Sequence, residues 1–176
     1  MMLIFDLESD GLLDDVTKIH CLVIHDSEVD QTLCYNDEGS SEPIVRGVQR
    51  LEDADIIAGH NVIGYDVPCL RKIYPWFDPK ALVIDTLLLS RLFHTDLMEV
   101  DHRLREAGKI QQMDMKLYGR HSLEAYGHRL GEYKGSFGKT TDWKEWSQEM
   151  QDYCIQDVNV TTKLCNHFHP YLTGSR

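Results

Sequence analysis

Residues 2–8 read MLIFDLE, four apolar residues running into an acid, a leucine and a second acid. The run has the strand signature of a short apolar segment bounded by turn residues, here Asp10-Gly11. Side chains alternate faces along a strand, so Asp6 and Glu8 project from the same face. An apolar run of this kind belongs at the centre of a sheet, and two adjacent acids at its tip repel each other unless cations bind them. Solvated acids beside a turn are the plainer reading of the dipeptide alone.

Working outward, IHCLVIH (residues 19–25) and QTLCY (31–35) read as two further strands, separated by the turn segments DGLLDD and DSEVD. The three form an antiparallel meander. A helix is expected over residues 43–51, then a short strand DIIAGH, a helix opening near Asp66 with Pro68 in its first turn, a strand ALVIDT and a helix LLLSRLF. Residues 94–121 are less regular. Two more helices follow, SLEAYGHRL and a long one over residues 142–167, with the glycine-punctuated GEYKGSFGK between them as a surface loop. The sum is an α/β fold, a mixed sheet with antiparallel first strands and parallel later ones, flanked by helices.

The 176 residues suit one domain, taken here as residues 1–170, with 171–176 as a C-terminal tail or an appended remnant. Apolar residues make up 42% and charged residues 27%, which excludes a disordered chain. No apolar stretch reaches the roughly 18 residues of a membrane span, and the acidic N-terminus is unlike a signal peptide, so a cytoplasmic protein with no membrane partner is expected. Cys21, Cys34, Cys69, Cys154 and Cys165 are odd in number and form no CxxC pair, which points to reduced, mostly buried thiols. The net charge of −11 argues against a broad phosphate-neutralising surface. Two divalent cations held by four of the acids would reverse that field locally.

Two other places carry candidate ligands. Asp66 in HNVIGYD lies at a strand-to-helix transition, where a carboxylate also serves as a helix cap, and Asn61 in the same segment also reads as a turn residue. In YCIQD, Tyr153 and Asp157 stand four residues apart, on one helical face, where an ordinary amphipathic helix would pack the ring and solvate the acid. Four acids from three elements suit a pair of cations about 3.5–4 Å apart, one activating water and one stabilising the leaving oxygen of a phosphodiester. Hard carboxylates favour Mg2+, with Mn2+ as a substitute, over zinc. No covalent nucleophile is needed.

Taken in order, DLE, then HN with YD, then YxxxD resemble the three motifs of the DEDD superfamily of 3′→5′ exonucleases, which has a ribonuclease H-like fold. Tyr153, four residues before Asp157, resembles the tyrosine branch. Within it the chain looks most like the proofreading exonuclease domain of bacteriophage DNA polymerases of the polymerase I family. The supporting segments are DLESDGLLDDVTKIHC, HNVIGYDVPCL, IDTLLLSRLFH, HSLEAYGHRLGEYKG and YCIQDVNVTTKL. The four residues between Asn61 and Asp66 fit that phage branch. The resemblance implies that Asp6 bridges two Mg2+ ions, Glu8 and Asp157 complete the first site, Asp66 holds the second, and Tyr153 orients the attacking water. It further implies that Asn61 contacts the substrate, that Leu12 wedges against the terminal base, that Ser9 lies near the 3′ hydroxyl, and that 5′-mononucleotides are released.

Single-stranded DNA is then the expected partner, with a polymerase module in the same or a separate chain. Residues 102–121 hold Arg103, Arg105, Lys109, Lys116 and Arg120 against Glu106 and Asp114, a candidate strand-guiding surface or an ordinary mixed-charge loop. Lys134 and Lys139, interleaved with Tyr133 and Phe137, offer further phosphate and stacking contacts, although the two rings equally serve to anchor the loop. Cys165, His167 and His169 are rejected as metal ligands for want of a second ligand pair. The same metals and tyrosine would serve an RNA 3′-end trimming enzyme, and a silent domain that binds DNA ends or docks a polymerase is the reading from another class.

Overall fold

A computed structural model describes residues 1–38, 41–132 and 142–175. Its centre is a five-stranded sheet in the order β3-β2-β1-β4-β5. The strands are β1 (Met2–Ser9), β2 (Ile19–Asp26), β3 (Gln31–Asn36), β4 (Ile56–Gly59) and β5 (Leu82–Asp85). β2 pairs antiparallel with both β1 and β3, whereas β4 pairs parallel with β1 and β5. The expected meander and mixed sheet are therefore present, with β1 in the middle.

Period-two alternation along β1 sorts the two cores. Leu3, Phe5 and Leu7 point to one face, where they meet Leu22, Ile24 and Ile57 with α1 (Ile44–Glu52) and α2 (Asp66–Ile73). On the opposite face, Cys21 and Val23 of β2 pack against Met150, Cys154 and Val158 of the long helix α6 (Gln148–Thr173). The outer half of α6 buries Val160, Leu164 and Phe168 against Leu89, Phe93 and Tyr126, which come from α3 (Thr86–Phe93) and α5 (Leu123–Arg129). A strand core enclosed by helices on both faces explains the near-continuous apolar run of MLIF.

Two expectations about helices change. The final helix begins at Gln148, where the Ser147 hydroxyl accepts from the Met150 N–H at 3.1 Å, rather than at 142. It continues to Thr173, beyond the expected end at 167, and closes on Gly174 at φ 67°. Tyr171, assigned above to the tail, packs its ring at a tilt against Phe93 with centroids 4.8 Å apart. The irregular stretch after residue 94 also contains a helix, α4 (Leu97–Glu106), and a 3-10 turn, Met115–Leu117.

The inward face of α4 was obscured in the sequence because one of its buried residues is an acid. Asp101 is fully buried and receives the Arg129 Nε and Nη2 at 2.7 Å each, while its Oδ2 also accepts from the Gly119 N–H at 2.8 Å. This fork joins α4, α5 and the loop between them. Asp101→Ala leaves the Arg129 guanidinium buried without its partner, and chemical denaturation should record a loss of about 3–5 kcal/mol.

Candidate active site

Asp6 and Glu8 stand on the α6 face of β1, near its C-terminal end, opposite Val23 and Cys21 of β2. The ladder shifts register between Glu8 and Ser9, so the strand bends away just past the second acid. Asp66 opens α2 and is 4% exposed. Tyr153 and Asp157 lie one turn apart on α6, the helix that crosses the same face. The expected residues Asp6, Glu8, Asp66, Tyr153 and Asp157 are thus brought together from three elements.

Their electrostatics follow from burial and crowding. Asp6 is held well above the usual carboxylate range by desolvation, then by the charges of Asp66, Glu8 and Asp157. Glu8 is raised by burial and by Asp157. Burial pushes Asp66 up to about 7, against the pull of the N–H groups of Asp66 and Leu7. Asp157 also rises to about 7 through burial, which the Tyr153 hydroxyl partly offsets. The Tyr153 phenol is pushed far upward by burial, then by Asp157, Glu8 and Asp6. Among the described residues, no lysine or arginine pairs with any of the four acids. Hard oxygen donors clustered in this way fit divalent cations.

Asp66 reaches this cluster because the preceding loop is tied down from below. Asp85, 5% exposed, accepts from the N–H groups of Asn61 at 2.9 Å, Ile63 at 3.1 Å and Leu87 at 2.9 Å, so one carboxylate caps α3 and clamps the loop. That clamp holds Asn61 at φ 65°, a backbone state asparagine tolerates. Behind it, Gly59 lies so close to β1 that a Cβ would sit 2.8 Å from the Phe5 carbonyl and 2.0 Å from Val62. His60 donates through Nδ1 to Thr86 Oγ1 at 2.9 Å, and Thr86 donates to the Gly59 carbonyl at 3.1 Å. Burial lowers this imidazole to about 4, keeping it neutral.

Beside Glu8 opens a cleft of about 340 Å³ lined by Leu7, Glu8, Ser9, Gly11, Leu12, Tyr65 and Trp143. Leu12 projects on its rim at 77% exposure. Ser9 and Tyr65 join hydroxyls at its floor, and Tyr65 donates to the Gly11 carbonyl at 2.5 Å. Trp143 is held through its carbonyl, 2.9 Å from His20 Nε2. Asp85, Tyr65 and Trp143 were not singled out from the sequence. For Asp85 the signal was present, since ALVID ends in an acid directly before a helix.

The basic residues lie outside this cleft. Arg103 faces Asp96 at 3.6 Å, Arg105 donates to the Tyr118 hydroxyl at 3.2 Å, Lys116 pairs with Asp114 at 3.1 Å, and Arg120 donates to the Lys116 carbonyl at 2.8 Å. Lys109 is exposed. None of the five lines the cleft. Tyr133, Lys134, Phe137 and Lys139 lie outside the described residues.

Asp66 and Asp157 bind protons more readily folded than unfolded between about pH 4 and 7, so metal-free stability falls as pH rises through that window. Thermal melts without divalent cations should therefore show a lower Tm at pH 8 than at pH 5. Asp157→Asn should raise the pH 8 value, and Mg2+ should raise it more at pH 8 than at pH 5. Asp85→Ala, which strands three N–H groups, should cost about 1–3 kcal/mol in a denaturant titration.

A family model described as RNase_H superfamily matches residues 3–169. The DNA-directed DNA polymerase of Escherichia phage T7 is 34% identical over 184 aligned residues, as is that of Enterobacteria phage T3. Each alignment covers 93% of this chain and 26% of the polymerase, so the chain spans about a quarter of those relatives. Among solved structures, Brucella melitensis NrnC with bound Mg2+ aligns with 99% of this chain and 74% of its own at TM-score 0.61 and 16% identity. The zinc-bound form of the E. coli ExoI–ssDNA complex aligns with 99% of this chain and 42% of its own at TM-score 0.54 and 17% identity. The chain belongs to the ribonuclease H superfamily and is related, over nearly its whole length, to the DNA polymerases of phages T7 and T3.

Proposed function

We propose that this protein is a metal-dependent 3′→5′ exonuclease that removes nucleotides from single-stranded or frayed DNA ends, serving as a proofreading domain for DNA replication. The observation that carries the reading is the buried cluster of Asp6, Glu8, Asp66 and Asp157 with Tyr153, drawn from three elements and, among the described residues, paired with no lysine or arginine. Its kinship with phage DNA polymerases supports DNA as substrate, and the ssDNA and Mg2+ carried by ExoI and NrnC point the same way.

Asp6, Glu8 and Asp157 would hold one Mg2+ and Asp66 a second, with Mn2+ able to substitute. The chemistry such ions supply when bound is activation of water and stabilisation of the departing 3′ oxygen. The chain's own residues do the rest. The Tyr153 phenol, protonated at neutral pH by its ordinary value and pushed further up by burial, serves as a hydrogen-bonding group that orients water and not as a base. Without cations the four acids repel a phosphate, so metal and DNA end bind interdependently.

The cleft beside Glu8 takes the terminal nucleotide. Its walls are mainly apolar, which favours stacking over reading of base edges, and all four bases are accepted. Leu12, exposed on the rim, separates the terminal base from its partner, so mismatched ends enter more often than paired ones.

Digestion of a 5′-labelled oligonucleotide, single-stranded or with a mismatched primer end, tests the reading. A Mg2+-dependent ladder shortening from the 3′ end, abolished by chelator and by Asp6→Ala and faster on DNA than on RNA, is expected. No ladder on either nucleic acid overturns it, and a faster ladder on RNA reassigns the substrate. Tyr153→Phe should lower turnover by about a hundredfold with little change in DNA affinity, as misplacement of a reacting group does.

A further inference from the structure

The acids of β1 do not stand among oxygen donors alone. Asp6, Glu8 and Cys154 each place a ligand atom within 4.8 Å of the other two. Cys154 Sγ lies 3.5 Å from Asp6 Oδ2 and donates to the Asp6 carbonyl at 3.4 Å. A second thiol joins it. Cys21 is the cross-strand partner of Glu8, so both side chains leave the sheet on the α6 face, and Cys21 shares a buried cluster with Cys154. Both thiols are fully buried and free of disulfides. Two carboxylates and the Cys154 thiol, from β1 and α6, thus converge, with the Cys21 thiol of β2 in the buried cluster beside them.

Carboxylate oxygens alone select hard cations, but thiolates select soft ones, and a soft ion of the zinc class takes four sulfur or oxygen donors in a tetrahedron. We propose that Cys154 and Cys21, with Asp6 and Glu8, form a site for a soft divalent cation of the zinc class, exclusive with hard-cation binding at the same carboxylates. On binding, each thiol releases its proton to solvent and each sulfur forms a bond to the ion. The carboxylates cannot complete both sets at once. The soft ion therefore acts as an off-switch, withdrawing Asp6 and Glu8 from the arrangement proposed for DNA cleavage.

Cd2+ is the probe, because its thiolate complexes absorb in the ultraviolet whereas its carboxylate complexes do not, and no nucleic acid is needed. A failed cleavage assay would thus leave this readout intact. Titration of the reduced protein should give a saturable thiolate band, displaced by Zn2+, with a midpoint that rises when Mg2+ is added. Cys154→Ser should weaken Cd2+ binding at least tenfold, roughly the loss that even an outer partner of a metal ligand causes, while Cys34→Ser and Cys165→Ser leave it unchanged. Should Cys154→Ser fail to fold, Asp6→Ala in the wild-type thiol background decides, keeping the band but shifting its midpoint upward. No band in the wild-type protein, a band that survives in folded Cys154→Ser protein, or a midpoint indifferent to both Mg2+ and Asp6→Ala overturns the site.

Discussion

Repulsion among Asp6, Glu8, Asp66 and Asp157 is the constraint around which this chain is built. Like charges in a poorly hydrated pocket raise one another's proton affinity, and the cost is borne by the packing around them. β1 occupies the middle of the sheet, and both of its faces are covered by cores containing fully buried Phe5, Leu22, Ile57 and Val158. A surface cluster of four acids would fold at lower cost but would leave water, not an incoming cation, as the competing partner. In the proposed function, the low-dielectric pocket would turn that repulsion into selective affinity for a cation.

Position matters as much as charge. The loop bearing Asn61 and leading to Asp66 is clamped by one carboxylate, Asp85, and pressed onto β1 where Gly59 leaves no room for a side chain. α6 is positioned by two separate cores, one under the sheet and one against α3 and α5. Residues of the candidate site are thus placed by rigid elements, which is how a site holds atoms to within fractions of an ångström.

Much of this was readable from residue patterns, and the remainder failed for identifiable reasons. The alternation in MLIFDLE gave both the central strand and the shared face of its acids, and the spacing of Tyr153 and Asp157 gave a single helical face. α4 escaped notice because its buried face includes Asp101, whose partner Arg129 is 28 residues away, so hydrophobic periodicity was broken by an ion pair that no local pattern reveals. The early start expected for α6 failed because residues 142–147 are rich in helix-tolerant residues, and only the Ser147 cap marks the true beginning. The pairing of Cys21 with Cys154 depends on strand register and on the docking of a distant helix, neither of which spacing along the chain encodes.

The contact between Cys154 and Asp6 spans 148 positions of the chain. The meander of β1, β2 and β3 closes through short turns and needs no later segment, but the face that carries Asp6 and Glu8 stays uncovered until α6 arrives. Loop closure over such a distance is slow compared with hairpin formation. On a ribosome, where α6 is synthesised after every strand, Tyr153 and Asp157 join last, and the acids of β1 stay hydrated through most of elongation. A nascent or half-folded chain therefore has no assembled centre, and the order of synthesis itself would delay the proposed reactivity until α6 has docked.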